Sequence, residues 1–230
     1  MKKFMLMVLL ATATMAQGKT LVVYYSFTNN VKTIVEDLQT QIACDVLEVQ
    51  PTEEGVDYAA NNYAIGSALI SAIRENPNDA SSYPSIKTTI DNLADYNTVI
   101  VATPLWWSNM AAPMQTFLFT YGSQMAGKNI GLIVSSASSG ISGVASDAKR
   151  LIPDGVFFSE NLWIRSSQTS SCHSMIADWL TSINYATVTG IEELTAATSP
   201  VEDVIYNLNG VRVTNPTAGI YIKNGKKVVY

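Results

Sequence analysis

Short, uninterrupted apolar runs alternate along this chain with stretches in which apolar residues recur every third or fourth position. The first pattern reads as buried strand and the second as amphipathic helix. Residues 20–25 form the first strand, and Val31, Ile34, Val35, Leu38 and Ile42 then share one helical face. Residues 46–49 make a short second strand stopped by Pro51. A helix is expected over 58–74, followed by a Pro/Asn/Asp/Ser loop near 76–84. The third strand is expected at 98–102, and a helix at 109–121 turns Met114, Phe117, Leu118 and Tyr121 inward. A strand at 130–135 precedes a helix marked by Ile141, Val144, Ala145, Ala148 and Leu151. Residues 156–158 and 162–164 share the last strand position, and Met175, Ile176, Trp179, Leu180 and Ile183 stripe a closing helix.

Strand and helix in strict alternation imply right-handed crossovers and a parallel sheet covered on both faces, an α/β fold. Ligands of such sheets bind at the carboxyl ends of the strands, beside the switch in strand order. The loops after the first, third and fourth strands are therefore the places to look for chemistry.

Both ends of the chain have a different character. Lys2 and Lys3, the apolar run 4–13 and the small-x-small stretch at 14–16 have the form of a removable signal peptide. The run is too short for the ~20 residues that span a bilayer, so export without a stable membrane span is expected. The α/β domain is placed at 17–186 and a Thr/Ala/Ser-rich linker at 187–200. Residues 201–230 hold two Asn-Gly pairs, each flanked by alternating apolar residues, which signals β-hairpins.

Composition narrows the function. With 47% hydrophobic and 14% charged residues among 230, the chain is neither disordered nor a coiled coil. A net charge of −5 argues against nucleic-acid binding, which selects clustered Lys and Arg. One histidine and two cysteines exclude the usual zinc sets. Cys44 and Cys172 fall at opposite ends of the expected sheet and are read as free thiols. His173 is read as a capping or exposed residue, and Asp147, Arg165 and Asp178 as ordinary helix or surface charges.

The first loop, Ser26-Phe27-Thr28-Asn29-Asn30-Val31, joins a buried strand to a helix start. It offers hydroxyls, amides and backbone N–H groups with no basic side chain, which suits an anion held by a helix N-terminus. It also suits plain turn and cap formation. It is neither of the glycine-rich phosphate motifs. The second loop runs Thr103-Pro104-Leu105-Trp106-Trp107-Ser108. Adjacent tryptophans cannot both face inward, so one is expected to pack and the other to cover a flat ligand; the alternative is that both pack on residues 52–90. The third loop, with Ser135, Ser138, Ser139 and Gly140, is small and hydroxyl-rich, fitted either to close approach of a ligand edge or to a flexible turn.

In these three segments the chain resembles the flavodoxins, in particular FMN proteins with a P-x-W-W signature. The matching text is residues 21–30, Pro104-x-Trp106-Trp107 with Pro113 and Thr116, and residues 135–143. The resemblance implies a flavodoxin-like three-layer fold with a five-stranded parallel sheet and one noncovalent FMN. It assigns the phosphate to Ser26, Thr28, Asn29, Asn30 and Val31. The flavin ring falls to Thr103, Pro104, Leu105, Trp106, Trp107, Ser135, Ser138, Ser139 and Gly140. Flavodoxin phosphate loops usually read T-G-N-T. Here Asn29 stands in place of the glycine, so it must itself take a left-handed conformation, and Val31 lacks the last hydroxyl. The tail, expected as a small β-hairpin appendage, resembles the C-terminal sorting signals of type IX secretion cargo, which implies an export machinery as partner. The expected function is an exported FMN-binding electron carrier or oxidoreductase acting on quinone-like or protein redox partners. The alternative is a binding or surface protein of the same fold without FMN.

Overall fold

A computed structural model of the protein describes residues 18–189, together with 205–207, 212–213, 220–223 and 226–229. The expected signal segment 1–16, and most of the expected linker, lie outside the described residues. The chain divides into two compact units, 1–191 and 192–230.

The first unit runs β1 (Lys19–Tyr24), α1 (Asn30–Gln41), β2 (Asp45–Glu48), α2 (Ala60–Glu75), β3 (Tyr96–Trp106) and β4 (Asn109–Met110). It continues through α3 (Ala112–Tyr121), β5 (Asn129–Ser136), α4 (Ser142–Leu151), β6 (Val156–Phe157), β7 (Leu162–Arg165), α5 (Cys172–Ser182) and α6 (Tyr185–Thr189). The strands lie in the order β2-β1-β3-β5-β6, all parallel. Helix α6 carries regular structure past the expected domain end at 186.

The sheet has seven strands, not the expected five, and two local causes account for the difference. The last strand position is split: β6 pairs with Asn129 and Ile130, and β7 pairs farther along β5, from Ile133 to Ser136. The other addition is β4, which folds back antiparallel on β3. β3 itself runs four residues beyond the expected 98–102. Pro104 is tolerated there because β1 has already ended opposite Ala102, leaving β3 one-sided, as proline in a strand requires.

Two cores cover the sheet. On one face Val31, Ile34, Val35 and Leu38 of α1 meet Ile176 and Trp179 of α5 over Val22, Ile100 and Ile133. On the other, α2, α3 and α4 bring Ile70, Phe117 and Val144 onto Val23, Val101 and Leu132. The uninterrupted apolar strands follow from this two-sided burial. Cys44 and Cys172 are free thiols.

The second unit contains β8 (Ile205–Asn207), β9 (Arg212–Val213), β10 (Ile220–Lys223) and β11 (Lys226–Val229). They form a four-stranded antiparallel sheet in the order β11-β10-β8-β9, not a lone hairpin. Each hairpin would leave an open edge; pairing Tyr221 with Asn207 closes one edge of each.

Candidate functional site

The loop after β1 ends in a left-handed residue. Asn29 has φ 63° and caps α1 by its backbone, its carbonyl accepting from the Thr33 N–H at 2.9 Å. The conformation expected from the missing glycine is thus present, carried by the side-chain type that tolerates it best. Ser26 Oγ accepts from the Lys32 N–H at 3.2 Å, and Asn30 Nδ2 donates to Thr28 Oγ1 at 3.2 Å. The N–H groups of Asn30 and Val31 open the helix and have no carbonyl one turn back. Val31 is 2% exposed and packs in the α1–α5 core, so it can offer a ligand only its backbone.

The Trp-Trp segment is a hairpin and not an open loop. Leu105 pairs with Met110 and Trp106 with Asn109, leaving Trp107 and Ser108 as a two-residue turn. Both have positive φ, 46° and 64°, the signature of a turn that prefers Asn-Gly. A left-handed L-residue costs roughly 1–2 kcal/mol, so the turn is strained. Trp106 is the packed ring, edge-on to Tyr25 at 5.7 Å and to Phe27 at 6.1 Å, and tilted on Tyr58 at 5.0 Å. Trp107 is 42% exposed, edge-on to Tyr63 and resting on Gly66. Both indoles therefore touch the 52–90 segment, as the alternative reading had it. They nevertheless leave an open cavity of about 280 Å³ lined by Phe27, Tyr58, Tyr63, Leu105, Trp106 and Trp107.

Tyr58, Tyr63 and Gly66 are site residues that the sequence pattern did not single out. They stand where residues 61–63, at the start of α2, run through three left-handed conformations, with φ of 52°, 57° and 64°. Two asparagines in succession were the available signal. Strain of this kind concentrates at functional sites.

The third loop does not line this cavity. Ser135 lies across from Pro104 at the end of β5, and its Oγ is buried, 3% exposed, with no hydrogen-bond partner among the described residues. By strand alternation it shares a face with Ile133, on the α1 side of the sheet. Ser136 Oγ donates to the Ser139 carbonyl at 2.9 Å and accepts from Trp163 Nε1 at 2.8 Å. Ser138, Ser139 and Gly140 are exposed. Thr103 is fully buried, its hydroxyl donating to the Pro104 carbonyl at 3.0 Å.

Asp147, expected to be an ordinary helix charge, is buried. Its Oδ2 accepts from the Met110 N–H at 2.9 Å and from Asn109 Nδ2 at 3.0 Å, and its Oδ1 from Arg150 at 3.1 Å. A single charged residue on an amphipathic helix carries no sequence mark of such a role. His173 Nδ1 lies 3.0 Å from Asp37 Oδ1 and joins α5 to α1 at the surface, away from the cavity.

The surroundings are apolar and acidic. Burial, then the neighbouring Tyr58, pushes the Tyr25 hydroxyl well above its ordinary value, and burial, then Glu53, pushes Tyr58 up. An adjoining cleft carries Glu48, Glu53 and Glu54 beside Ser26 and Phe27, with Lys87 paired to Glu54. Among the described residues no His/Cys/Asp/Glu group could hold a metal ion, and no helix is long and apolar enough to cross a membrane.

The parallel order, the helix-capping first loop and the aromatic second loop are arranged as in a flavodoxin-like α/β fold. The sequence profile of the flavodoxin family matches residues 19–183, and the chain belongs to that family. A provisionally assigned flavoprotein from Bacteroides eggerthii is 25% identical, covering 72% of this chain and 98% of its own, with a TM-score of 0.57. A flavoprotein from Lactobacillus acidophilus, solved in complex with FMN, is 20% identical. It covers 68% of this chain and 99% of its own, with a TM-score of 0.53. A further provisionally assigned flavoprotein, from Bacteroides uniformis, is 21% identical, covers 71% and 98%, and has a TM-score of 0.56.

Proposed function

We propose that this protein binds FMN and acts outside the cytoplasm as an electron carrier or oxidoreductase on quinone-like or protein redox partners. One observation carries the reading: Phe27 belongs to the helix-capping loop and also lines the aromatic cavity with Trp106 and Trp107. A single loop thus joins an anion-binding helix start to an apolar, ring-sized recess. Membership of the flavodoxin family and the FMN complex of the L. acidophilus structure support the choice of FMN.

The residues fit such a ligand. The α1 N-terminus and the left-handed Asn29 turn offer N–H groups to a phosphate. The partnerless hydroxyl of Ser135, on the same face, is a donor awaiting an acceptor. Thr28, Asn30, Pro104, Leu105, Ser138, Ser139 and Gly140 complete the proposed surround. FMN, when bound, supplies one- and two-electron transfer. The chain binds and orients it, screens one ring face with indole, and sets Glu48 and Glu53 in the adjoining cleft, where Glu54 is already paired with Lys87. The Glu48 and Glu53 carboxylates disfavour added negative charge on a bound ring and so lower its potential.

Export rests on residues 1–16 and on the tail 201–230, and the expected mature chain begins near Gln17. Titrating the purified protein with FMN tests the cofactor: quenching of flavin fluorescence is expected, and Trp107→Ala should weaken it. Colourless protein that leaves FMN fluorescence unchanged would instead make this a binding or surface protein on the same scaffold. Deleting 201–230 should leave the first unit folded and change where the protein accumulates; loss of folding would refute the sorting role.

A further inference from the structure

We propose that Asp147, with Arg150 and Gln115 behind it, is the positioning residue that holds the Trp107–Ser108 turn in its strained form and so presents Trp107 to the flavin. The inference rests on the FMN reading for its functional part and on geometry for the rest.

A two-residue turn with positive φ at both positions forms readily with Asn-Gly and poorly with Trp-Ser. Something outside the hairpin has to select it. The returning strand β4 is only two residues long, and Met110 within it is gripped at both backbone groups. Its N–H donates to Asp147 Oδ2 at 2.9 Å, and its carbonyl accepts from Gln115 Nε2 at 2.7 Å. Asn109 Nδ2 donates to the same carboxylate oxygen at 3.0 Å. Asp147 and Gln115 are tied together through Arg150, which donates to Asp147 Oδ1, to Gln115 Oε1 and to the Tyr83 hydroxyl. Two side chains, from α3 and α4, therefore hold one residue of β4, with Arg150 and Tyr83 bracing them from behind.

The tip of the turn is held from the same helix. A Cβ on Gly143, in the first turn of α4, would lie 1.9 Å from the Ser108 carbonyl oxygen. Only glycine lets α4 approach the turn so closely. Asp147 stands four residues on, along the same helical face. The α4 face thus seats the turn at Ser108 and clamps it at Met110. Trp107 is left 42% exposed at the cavity mouth, so the contacts of its indole with Gly66 and Tyr63 are supplemented by this hold on its backbone.

Three variants in the full chain test this, each followed by FMN titration, near-UV circular dichroism and thermal melting. The Trp106 and Trp107 rings lie 6.4 Å apart at 79°, so their near-UV signature reports the turn with or without FMN. Asp147→Ala should lose that signature and bind FMN about tenfold or more weakly, as when the competent conformation falls to a tenth. Asp147→Asn keeps one carbonyl oxygen for the Met110 N–H and should retain most of both properties. Ser108→Gly in the Asp147→Ala background removes the need for a clamp at one turn position and should recover both. A general loss of stability would not be repaired by that substitution. Asp147→Ala with an unchanged near-UV signature, or a folded double variant that recovers neither property, would overturn the proposal. Wild-type protein that fails to bind FMN would refute the cofactor reading alone, because the spectral arm still tests the clamp.

Discussion

Gly66 offers a substitution whose effects on stability and on binding should have opposite signs. It sits inside α2 under the indole of Trp107, and a Cβ there would lie 2.9 Å from Cη2 and 3.0 Å from Cζ3 of that ring. Carbon atoms in contact settle at about 3.5–4.0 Å, so the ring edge has to withdraw by roughly 0.5–1 Å. Trp107 can do so, because its ring is partly exposed and faces an open cavity. The retreat loses a few atom contacts at about 0.1–0.2 kcal/mol each. Alanine in a helix interior gains about 1 kcal/mol over glycine. Gly66→Ala should therefore melt within a few degrees of wild type, or above it. Its indole is nonetheless off its seat, and FMN affinity should fall about tenfold, or 1.4 kcal/mol. Melting and flavin-quenching titration on one preparation measure both. A variant that melts much earlier yet binds FMN as tightly as wild type would refute the reasoning, since Gly66 would then serve packing and not the placement of Trp107.

The backbone at Asn29 predicts that Asn29→Gly is neutral or slightly stabilising, while Asn29→Ala costs about 1 kcal/mol in urea unfolding, because only the latter is strained at φ 63°; equal stabilities would reject the left-handed cap. Burial, then the adjacent Asp45 carboxylate, pushes the Cys44 thiol up to about 11, so alkylation should be slow at pH 8 and should accelerate with each pH unit up to that value. Burial, then Glu48, likewise pushes Tyr24 up to about 12. Both groups lose their protons more easily in the unfolded chain. The stability they contribute is present in full below their ordinary values of 9.0 and 10.0, and is lost as pH rises through 11 and 12. Urea midpoints constant from pH 9 to 11.5 would contradict this.

The parallel order was legible because two-sided burial writes strands such as Val22, Val23 and Tyr24 as unbroken apolar runs. The left-handed Asn29 was legible from the absence of a glycine where the turn requires one. The hairpin was not, since its signals point the wrong way: Pro104 reads as a strand terminator, and Trp107-Ser108 is a poor choice for a turn with two positive φ angles. The helix expected over 109–121 begins only at Ala112 for the same reason, as Asn109 and Met110 belong to β4. The aromatic wall from Tyr58 and Tyr63 was hidden in a segment whose helical period is interrupted by left-handed residues. The third loop was expected beside the Trp pair; Ser138, Ser139 and Gly140 instead stand in solvent, and Ser135 turns toward the α1 side.

The sheet's first strand is tied to the unit's last helix: Thr20 Oγ1 and the Tyr185 hydroxyl are 2.8 Å apart across 165 residues. β1 is also an interior strand, and Trp179 of α5 and Ile183, which ends that helix, share its apolar cluster. A ribosome that has made only the first hundred and fifty or so residues has therefore produced a sheet whose one face is covered by α1 alone, and the apolar surface left open there invites chaperones or aggregation. Closure has to wait for the final two helices, which makes acquisition of the native state a late, concerted event, finished only as synthesis of this unit ends.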